Sequence, residues 1–210
     1  GKSRGGPYGD VIEEIDESVG RIRSSLEKSG VARNTLLVFT SDNGPWVLYR
    51  NTASHPMYGE ARLRVGTALP FRDGKGSTWE GGMRVPGVMW WPDTIVKGTL
   101  CSQPVSTTDI LPTAFALAGA AVPADRTLDG RDIRTLLSPR LGKGAVLDFT
   151  LVYTGSGPTG SFHPMAVRQG PWKLHERTYS QTGDDHGYSG VTPQNPLLFH
   201  VEQEGIVVSE

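Results

Sequence analysis

Residues 35–45 read TLLVFTSDNGP, a short apolar run that ends abruptly in a polar turn. An uninterrupted apolar run of this length is typical of a strand buried in a parallel sheet. It follows a predicted helix over residues 10–29, whose apolar side chains recur at spacings of three or four residues and so share one face. That face consists of Val11, Ile15, Val19, Ile22 and Leu26. A helix followed at once by a buried strand is half of an α/β unit, so the sequence predicts the α/β fold class.

A second strand and a second helix follow further along the chain. The strand is predicted over residues 85–91, which are mostly apolar. The helix is predicted over residues 106–118, with Thr108 and Asp109 as candidate caps, Pro112 in the first turn and Gly119 as the stop. Both elements extend the α/β pattern.

The pattern changes after about residue 145. Short strands are predicted at residues 146–153, 165–168, 172–175 and 197–201. The dipeptide Gln169-Gly170 lies where a hairpin turn would join two of them. The sequence therefore predicts two consecutive domains. Residues 1–145 form an α/β part, and residues 146–210 form a small antiparallel β subdomain.

Composition excludes several classes of protein. The chain has 210 residues with 21 Lys+Arg against 22 Asp+Glu, and this balance argues against a nucleic-acid surface, which needs a basic excess. No apolar run approaches the ~18–20 residues that a membrane span requires. A single cysteine, Cys101, excludes a disulfide within these residues and a multi-cysteine zinc site, and is expected to be a buried or inert thiol.

Asp42 and Asn43 follow the first predicted strand directly. Open α/β sheets place their ligands just beyond the carboxyl ends of strands. A carboxylate beside an amide offers two hard oxygen donors, which suit calcium or magnesium. An Asp/Asn-Gly sequence is also among the commonest turn signals, so a plain turn is the alternative.

Lys75 lies between two glycines in residues 73–78, DGKGST. A Walker phosphate loop needs Gly-Lys followed directly by Ser or Thr, and here Gly76 intervenes, so the NTPase interpretation fails. What remains is an ammonium group in a glycine-flanked cradle that could hold an oxyanion as a point charge. The alternative is an ordinary solvated lysine in a turn.

Histidine and serine patterns give weaker indications. His175 alternates with Leu174 on a predicted strand and could face a cleft, although such a histidine is more often simply surface-exposed. The five histidines show no HExxH spacing, which disfavours a zinc protease. Residues 155–157, GSG, lack the strand-turn-helix setting of a hydrolase nucleophile.

Taken in order, several segments resemble the sulfatase family, in its branch similar to arylsulfatase A and N-acetylgalactosamine-6-sulfatase. The most specific match is residues 74–86, GKGSTWEGGMRVP. The others are residues 8–10 (YGD), 35–44, 109–113 (DILPT), 128–130 (LDG) and 166–175. The likeness covers nearly the whole chain.

The resemblance implies a partial alkaline-phosphatase-like α/β sandwich, followed by the small antiparallel subdomain. It implies that Asp42 and Asn43 are two ligands of one calcium ion, whose remaining ligands lie upstream of this chain. It implies that Lys75 is both catalytic and substrate-binding, through contact with the sulfate group. His175 becomes a candidate for the substrate cleft.

The resemblance also implies parts that these residues lack. The family's nucleophile is a formylglycine made within a C-x-P-S-R-type motif, and no such motif occurs here; residues 100–104, LCSQP, do not fit it. We therefore expect a C-terminal half, truncated at both ends and inactive by itself. In the complete enzyme, hydrated formylglycine would attack sulfur while calcium and Lys75 offset negative charge. Glu80 and Arg84 would be structural supports of the lysine loop.

Substrate identity and compartment are expectations of the family alone. The substrate would be a sulfated small molecule, glycan or lipid, and residues 46–71, with His55, Arg62 and Arg64, would line the mouth of the site. A lysosomal or secreted location and a homo-oligomer are both compatible with the family. Two other interpretations stay open: a phosphatase or phosphodiesterase on the same scaffold, and an inactive fragment or degenerate paralogue.

Overall fold

The structure, a computed structural model, describes residues 3–47, 65–142, 150–156, 162–180 and 188–201. Its longest element is helix α1, Gly6–Lys28, which begins four residues before the predicted start. Pro7 occupies the first turn, where its missing N–H costs no hydrogen bond. At the other end Gly30 adopts φ +70°, and the N–H of Val31 donates to the carbonyl oxygen of Leu26 at 3.1 Å. This closing pattern satisfies carbonyls that the helix end leaves unpaired.

The apolar face of α1 is open in the described part of the chain. None of its side chains is buried, and Val11 and Ile22 are about half exposed. The predicted periodicity therefore identifies the helix and its face correctly, while these residues alone do not cover that face.

The fold divides into two compact units that interleave along the sequence. The first contains residues 1–21, 41–86 and 150–210, and the second contains residues 22–40 and 87–149. This grouping differs from the two consecutive domains that the sequence predicts. The physical reason is that side chains from the C-terminal strands hold Glu80, so residues 41–86 pack with the C-terminal sheet.

In the second unit, strand β1 (Leu37–Thr40) pairs with strand β2 (Gly87–Trp90) in antiparallel register, with Leu37 opposite Trp90. We expected β1 to be a buried strand of a parallel sheet. Within the described residues its partner is antiparallel, and Phe39 is 40% exposed. An apolar run indicates that a strand can be buried but does not fix the direction of its neighbour.

The predicted helix over 106–118 is a 3₁₀ turn, Thr107–Asp109, continued by helix α2, Ile110–Ala118. Ser106 caps it, and the carboxylate of Asp109 accepts hydrogen bonds from the backbone N–H of Ser106 (2.7 Å) and of Arg131 (2.8 Å). Gly119 ends the helix at φ +65°. The same unit contains helix α3, Arg134–Leu137, and 3₁₀ turns at Ala32–Asn34 and Pro139–Leu141.

The first unit holds a four-stranded antiparallel sheet. Its strands, in chain and spatial order, are β3 (Thr150–Ser156), β4 (Phe162–Gln169), β5 (Trp172–His175) and β6 (Leu197–His200). The meander predicted from the sequence is thus confirmed, including the turn at Gly170, which adopts φ +54° between the paired residues Gln169 and Trp172. Buried side chains on and beside the sheet are Trp79, Tyr153, Met165, Ala166 and Val201.

Two further expectations concern membrane spans and the single cysteine. Among the described segments, no helix is both long and apolar enough to cross a membrane. We expected Cys101 to be buried or inert; it is exposed, so burial does not hold, and its inertness stays a prediction.

Candidate functional site

The loop after β1 and the loop that carries Lys75 lie side by side. The backbone N–H of Gly44 donates to the carbonyl oxygen of Gly82 at 3.0 Å, and that of Lys75 donates to Pro45 at 2.8 Å. A Cβ on Gly44 would lie 1.7 Å from the carbonyl oxygen of Gly81, so only glycine permits this approach. The two segments singled out in the sequence are therefore joined through their backbones.

Lys75 projects from a tightly turned and exposed loop. Asp73 and Gly76 adopt φ +60° and +75°, and the Asp73 carboxylate accepts a hydrogen bond from the N–H of Gly74 at 2.7 Å. A Cβ on Gly74 would lie 2.2 Å from the carbonyl oxygen of Pro45. These constraints fix the backbone while the lysine side chain stays exposed to solvent. An exposed ammonium on a fixed loop can bind an oxyanion.

Asp42 and Asn43 lie on the neighbouring loop. The Asn43 side-chain amide donates to the carbonyl oxygen of Gly44 at 3.0 Å, which leaves its own oxygen available as an acceptor or metal ligand. The Ser41 hydroxyl donates to the carbonyl oxygen of Asn43 at 3.0 Å and holds the turn. Within the described ranges, the exposed Asp42 carboxylate makes no hydrogen bond or ion pair.

These two side chains fit a calcium site as a part of it. Both present hard oxygens, which calcium prefers, but the ion takes about six to eight oxygen ligands. Across the segments that the structure describes, no group of three or more His, Cys, Asp or Glu side chains is placed to hold a metal. Asp42 and Asn43 can therefore supply only some of the ligands that calcium needs.

Behind the lysine loop, the buried Glu80 carboxylate binds three side chains from the C-terminal sheet. Glu80 begins a short helix, Glu80–Met83, which we call α-turn 80. Its carboxylate accepts from Lys173 Nζ at 2.9 Å, from Arg168 Nη1 at 2.9 Å and from Tyr153 Oη at 3.1 Å. Burial by itself would raise the pKa of Glu80. Attraction to Lys173, followed by that to Arg168, outweighs burial and lowers this pKa below its usual value.

Lys173 also lies over the aromatic ring of Tyr153, with Nζ 4.1 Å from the ring centroid. The lysine has no exposed surface in the structure. A buried ammonium is tolerated only where it is paired, and here the Glu80 carboxylate and the face of the Tyr153 ring accept it. Arg84, the other expected support, stacks over the ring of Phe71 at 4.7 Å.

His175 lies in an aromatic cluster in the interior. It has no exposed surface, and its ring centroid lies 4.5 Å from Trp79 and 5.8 Å from Phe199. Neither ring nitrogen has a hydrogen-bond partner in the described part of the chain. Burial, and secondly the charge of Lys173, lowers the pKa of His175 to about 3. The expectation that His175 lines a substrate cleft is corrected: a fully enclosed side chain cannot contact a substrate.

This environment predicts how stability depends on pH. The pKa of His175 falls from 6.5 to about 3 on folding, so between these values the unfolded chain binds a proton that the folded chain does not. Stability therefore rises with pH across this window and falls on acidification, with a limiting slope of about 1.4 kcal/mol per pH unit. We expect His175→Phe to flatten the slope above about pH 5, where Glu80 contributes little.

Urea unfolding at several pH values measures that slope. His163→Gln is the matched control, because it also removes one histidine from the C-terminal sheet, but from an exposed position on β4. An equal slope in wild type and His175→Phe would contradict the prediction.

The sequence did not reveal the partners of Glu80. Lys173 and His175 alternate on one strand and share its buried face, and a lysine on the face of a strand that points inward is a signal of pairing. Its partner lies 93 residues earlier, which no local pattern reports. His55, Arg62 and Arg64, expected at the mouth of the site, lie outside the described residues.

The sequence that forms these loops matches a known family. The sulfatase family model matches residues 5–120, which include both site loops. The chain belongs to the sulfatase family. N-acetylgalactosamine-6-sulfatase of Mus musculus is 35% identical over 221 residues, covering 97% of this chain and 39% of that protein. Steryl-sulfatase of Homo sapiens is 42% identical over 137 residues, covering 65% of this chain and 22% of that protein.

Solved sulfatase structures have the same fold. PsFucS1 sulfatase from Pseudoalteromonas sp. superposes with a TM-score of 0.67 at 26% identity, covering 95% of this chain and 37% of that one. Ps i-CgsB, solved in complex with k-i-k-neocarrahexaose, gives a TM-score of 0.65 at 27% identity, covering 96% and 38%. These comparisons confirm the predicted alkaline-phosphatase-like α/β architecture with an antiparallel C-terminal sheet. The chain spans about two fifths of the length of relatives such as the mouse enzyme.

Proposed function

We propose that the complete protein containing this chain hydrolyses sulfate esters, and that these residues supply the part of the site that holds the sulfate group. The observation that carries the proposal is the direct backbone contact between the Asp42-Asn43 loop and the Lys75 loop. It brings a cation and two hard oxygen donors into one region on adjoining loops. The nucleophile comes from elsewhere in the protein, because no C-x-P-S-R motif occurs in these 210 residues.

Lys75 binds and orients the substrate in this proposal. Its ammonium donates hydrogen bonds to sulfate oxygens that do not bridge to the alcohol, and its charge offsets the negative charge on the transferring group. Because the backbone of residues 73–76 is fixed, little reorganisation is needed when the charge develops.

Asp42 and Asn43 would hold one calcium ion together with ligands from outside this chain. A bound calcium ion supplies Lewis-acid polarisation of an anionic group. The Asn43 amide nitrogen donates to the carbonyl oxygen of Gly44, so the amide oxygen is left as an acceptor or ligand.

Calcium binding by Asp42 is testable without an activity assay. We expect Asp42→Ala in the complete protein to lower calcium affinity by at least about tenfold, because loss of one carboxylate removes both a ligand and a charge. The readout is the rise in thermal midpoint on addition of calcium to chelated protein. Asp125→Ala, which removes an acid from an exposed pair with Arg126, is the matched control. An unchanged calcium response in Asp42→Ala would remove this residue from the metal site.

We propose that the substrate is a sulfated glycan or a smaller sulfate ester. We propose that the complete protein acts in a lysosomal or extracytoplasmic compartment. Two matched proteins support the sugar class: one is named as an N-acetylgalactosamine-6-sulfatase, and the other was solved with a neocarrahexaose. Trp46, next to Pro45 on the site loop, is 45% exposed and offers an aromatic surface.

The deciding experiment compares 4-methylumbelliferyl sulfate and 4-methylumbelliferyl phosphate as substrates of the complete protein. Preferential turnover of the sulfate ester supports the proposal. Preferential turnover of the phosphate ester would assign the scaffold to a phosphatase instead. Turnover of neither, with a folded protein and a processed nucleophile, would indicate a degenerate member of the family.

A further inference from the structure

We propose that the C-terminal sheet positions Lys75 through a buried anchor cluster, made of Glu80, Tyr153, Arg168 and Lys173. The inference rests on the proposed role of Lys75 in holding the sulfate group. The cluster residues are buried and are not placed to touch substrate. They are positioning residues, and they act through the segment that joins Lys75 to Glu80.

The connecting segment has little freedom to move. Ser77, Thr78 and Trp79 are all buried. The N–H of Thr78 donates to the carbonyl oxygen of Tyr179 at 3.0 Å, and the N–H of Tyr179 donates to the Thr78 hydroxyl at 3.1 Å. Only four residues separate Lys75 from Glu80, so a shift of Glu80 is transmitted to the lysine loop.

The opposite side of α-turn 80 is equally constrained. The N–H of Gly81 donates to the carbonyl oxygen of Arg72 at 2.8 Å, and a Cβ on Gly81 would lie 2.2 Å from that oxygen. A Cβ on Gly82 would lie 2.5 Å from the carbonyl oxygen of Gly74. α-turn 80 therefore packs backbone to backbone against Arg72 and Gly74, on the N-terminal side of Lys75. It also contacts the Asp42 loop through Gly82 and Gly44.

Three strands determine where the Glu80 carboxylate lies. Tyr153 is on β3, Arg168 on β4 and Lys173 on β5, and each donates to this carboxylate. Buried charged pairs contribute little net stability compared with apolar packing, but their hydrogen bonds fix direction and distance. Fixed geometry matters here because a displacement of about 1 Å at a catalytic group can cost about 10²-fold in rate.

The test is a double-mutant cycle in the complete protein with 4-methylumbelliferyl sulfate. Tyr153→Phe removes only the hydroxyl that contacts Glu80, and Glu80→Asp keeps the charge but draws it back by one methylene. We expect kcat to fall about threefold for Tyr153→Phe and about tenfold or more for Glu80→Asp, a range set by lost positioning. In a Lys75→Ala background each effect should shrink to less than about twofold, because residues that act as one unit are not additive.

Asp109→Asn is the matched control. Asp109 is a buried carboxylate that accepts backbone hydrogen bonds in the second unit, so its variant tests the effect of destabilisation alone. Activities are expressed per folded protein, and kcat for Asp109→Asn should equal that of wild type.

The outcomes separate the two proposals. If Tyr153→Phe and Glu80→Asp lower kcat by the same factors in the wild-type and Lys75→Ala backgrounds, the positioning role is overturned. The proposal that the complete protein hydrolyses sulfate esters is not affected by that result. Positioning is likewise overturned if Tyr153→Phe and Glu80→Asp both leave kcat unchanged. If Lys75→Ala alone leaves kcat unchanged, Lys75 does not hold the sulfate group, and the positioning proposal that depends on that role is contradicted as well. Tyr153→Phe keeps the ring against Lys173, so it carries the test even if Glu80→Asp does not fold.

Discussion

Lys75→Ala in the complete protein should lower kcat/KM for sulfate esters by about 10²-fold or more, the usual cost of removing one preorganised charge from a transition state. The lysine is exposed on a loop whose backbone is fixed by Pro45 and Asp73, so its ammonium is available to an anion without rearrangement of the loop. Steady-state kinetics with 4-methylumbelliferyl sulfate measure the loss. The larger part should appear in kcat, because the charge is needed most where negative charge develops.

Two further variants make this prediction specific. Lys75→Arg keeps the charge but spreads it over a planar group, and we expect it to recover only part of the activity. Lys97→Ala is the matched control, because Lys97 is also exposed and is followed by a glycine, Gly98, with φ +77°. Wild-type kcat/KM in Lys75→Ala, or an equal loss in Lys97→Ala, would exclude Lys75 from the sulfate site.

Local sequence patterns predicted those parts of the fold that depend on nearby residues. The strand at Trp172–His175 has the predicted bounds, and the turn at Gly170 follows from the need for a residue that tolerates positive φ. Helix α1 differs from its predicted bounds by four residues at one end and one at the other. Each of these features is fixed within a few residues of chain, which is the range over which periodicity and turn chemistry act.

Three features that sequence reasoning missed depend on distant partners. The direction of the neighbour of β1, the interleaving of the two units and the burial of His175 are set by contacts between distant segments. Alternation along β5 showed that Lys173 and His175 share a face, but not whether that face points to solvent or inward. The direction of that face depends on Glu80, because a lysine without exposed surface requires a buried carboxylate beside it.

The candidate site shows the same division. Asp42, Asn43 and Lys75 could be named from the sequence because each lies in a short motif whose chemistry is local. Their proximity could not be deduced, since it depends on Gly44 lying against Gly81 and Gly82, a contact that spans the loop between them.

Glu80→Gln should lower the free energy of unfolding by about 3–5 kcal/mol, the range seen when one partner of a buried ion pair is removed. The carboxylate lies against Lys173, which has no exposed surface, and Arg168, which is 5% exposed. The substituted side chain would leave both cations buried opposite a neutral amide. Urea unfolding near neutral pH measures the loss, because the lowered pKa keeps Glu80 ionised there.

The cause of that loss can be separated from the loss of packing by a second substitution. Lys173→Met removes one of the uncompensated charges while keeping an apolar chain of similar length, so Glu80→Gln/Lys173→Met should be more stable than Glu80→Gln alone. Asp109→Asn, which replaces a carboxylate that accepts from two backbone N–H groups, should lose less than Glu80→Gln. If the double variant is no more stable than Glu80→Gln, the penalty arises from packing around α-turn 80 and not from unpaired charge. If the double variant is more stable than Glu80→Gln, the buried carboxylate stabilises the fold by compensating two cations. Those cations, Lys173 and Arg168, lie on the C-terminal sheet behind the lysine loop.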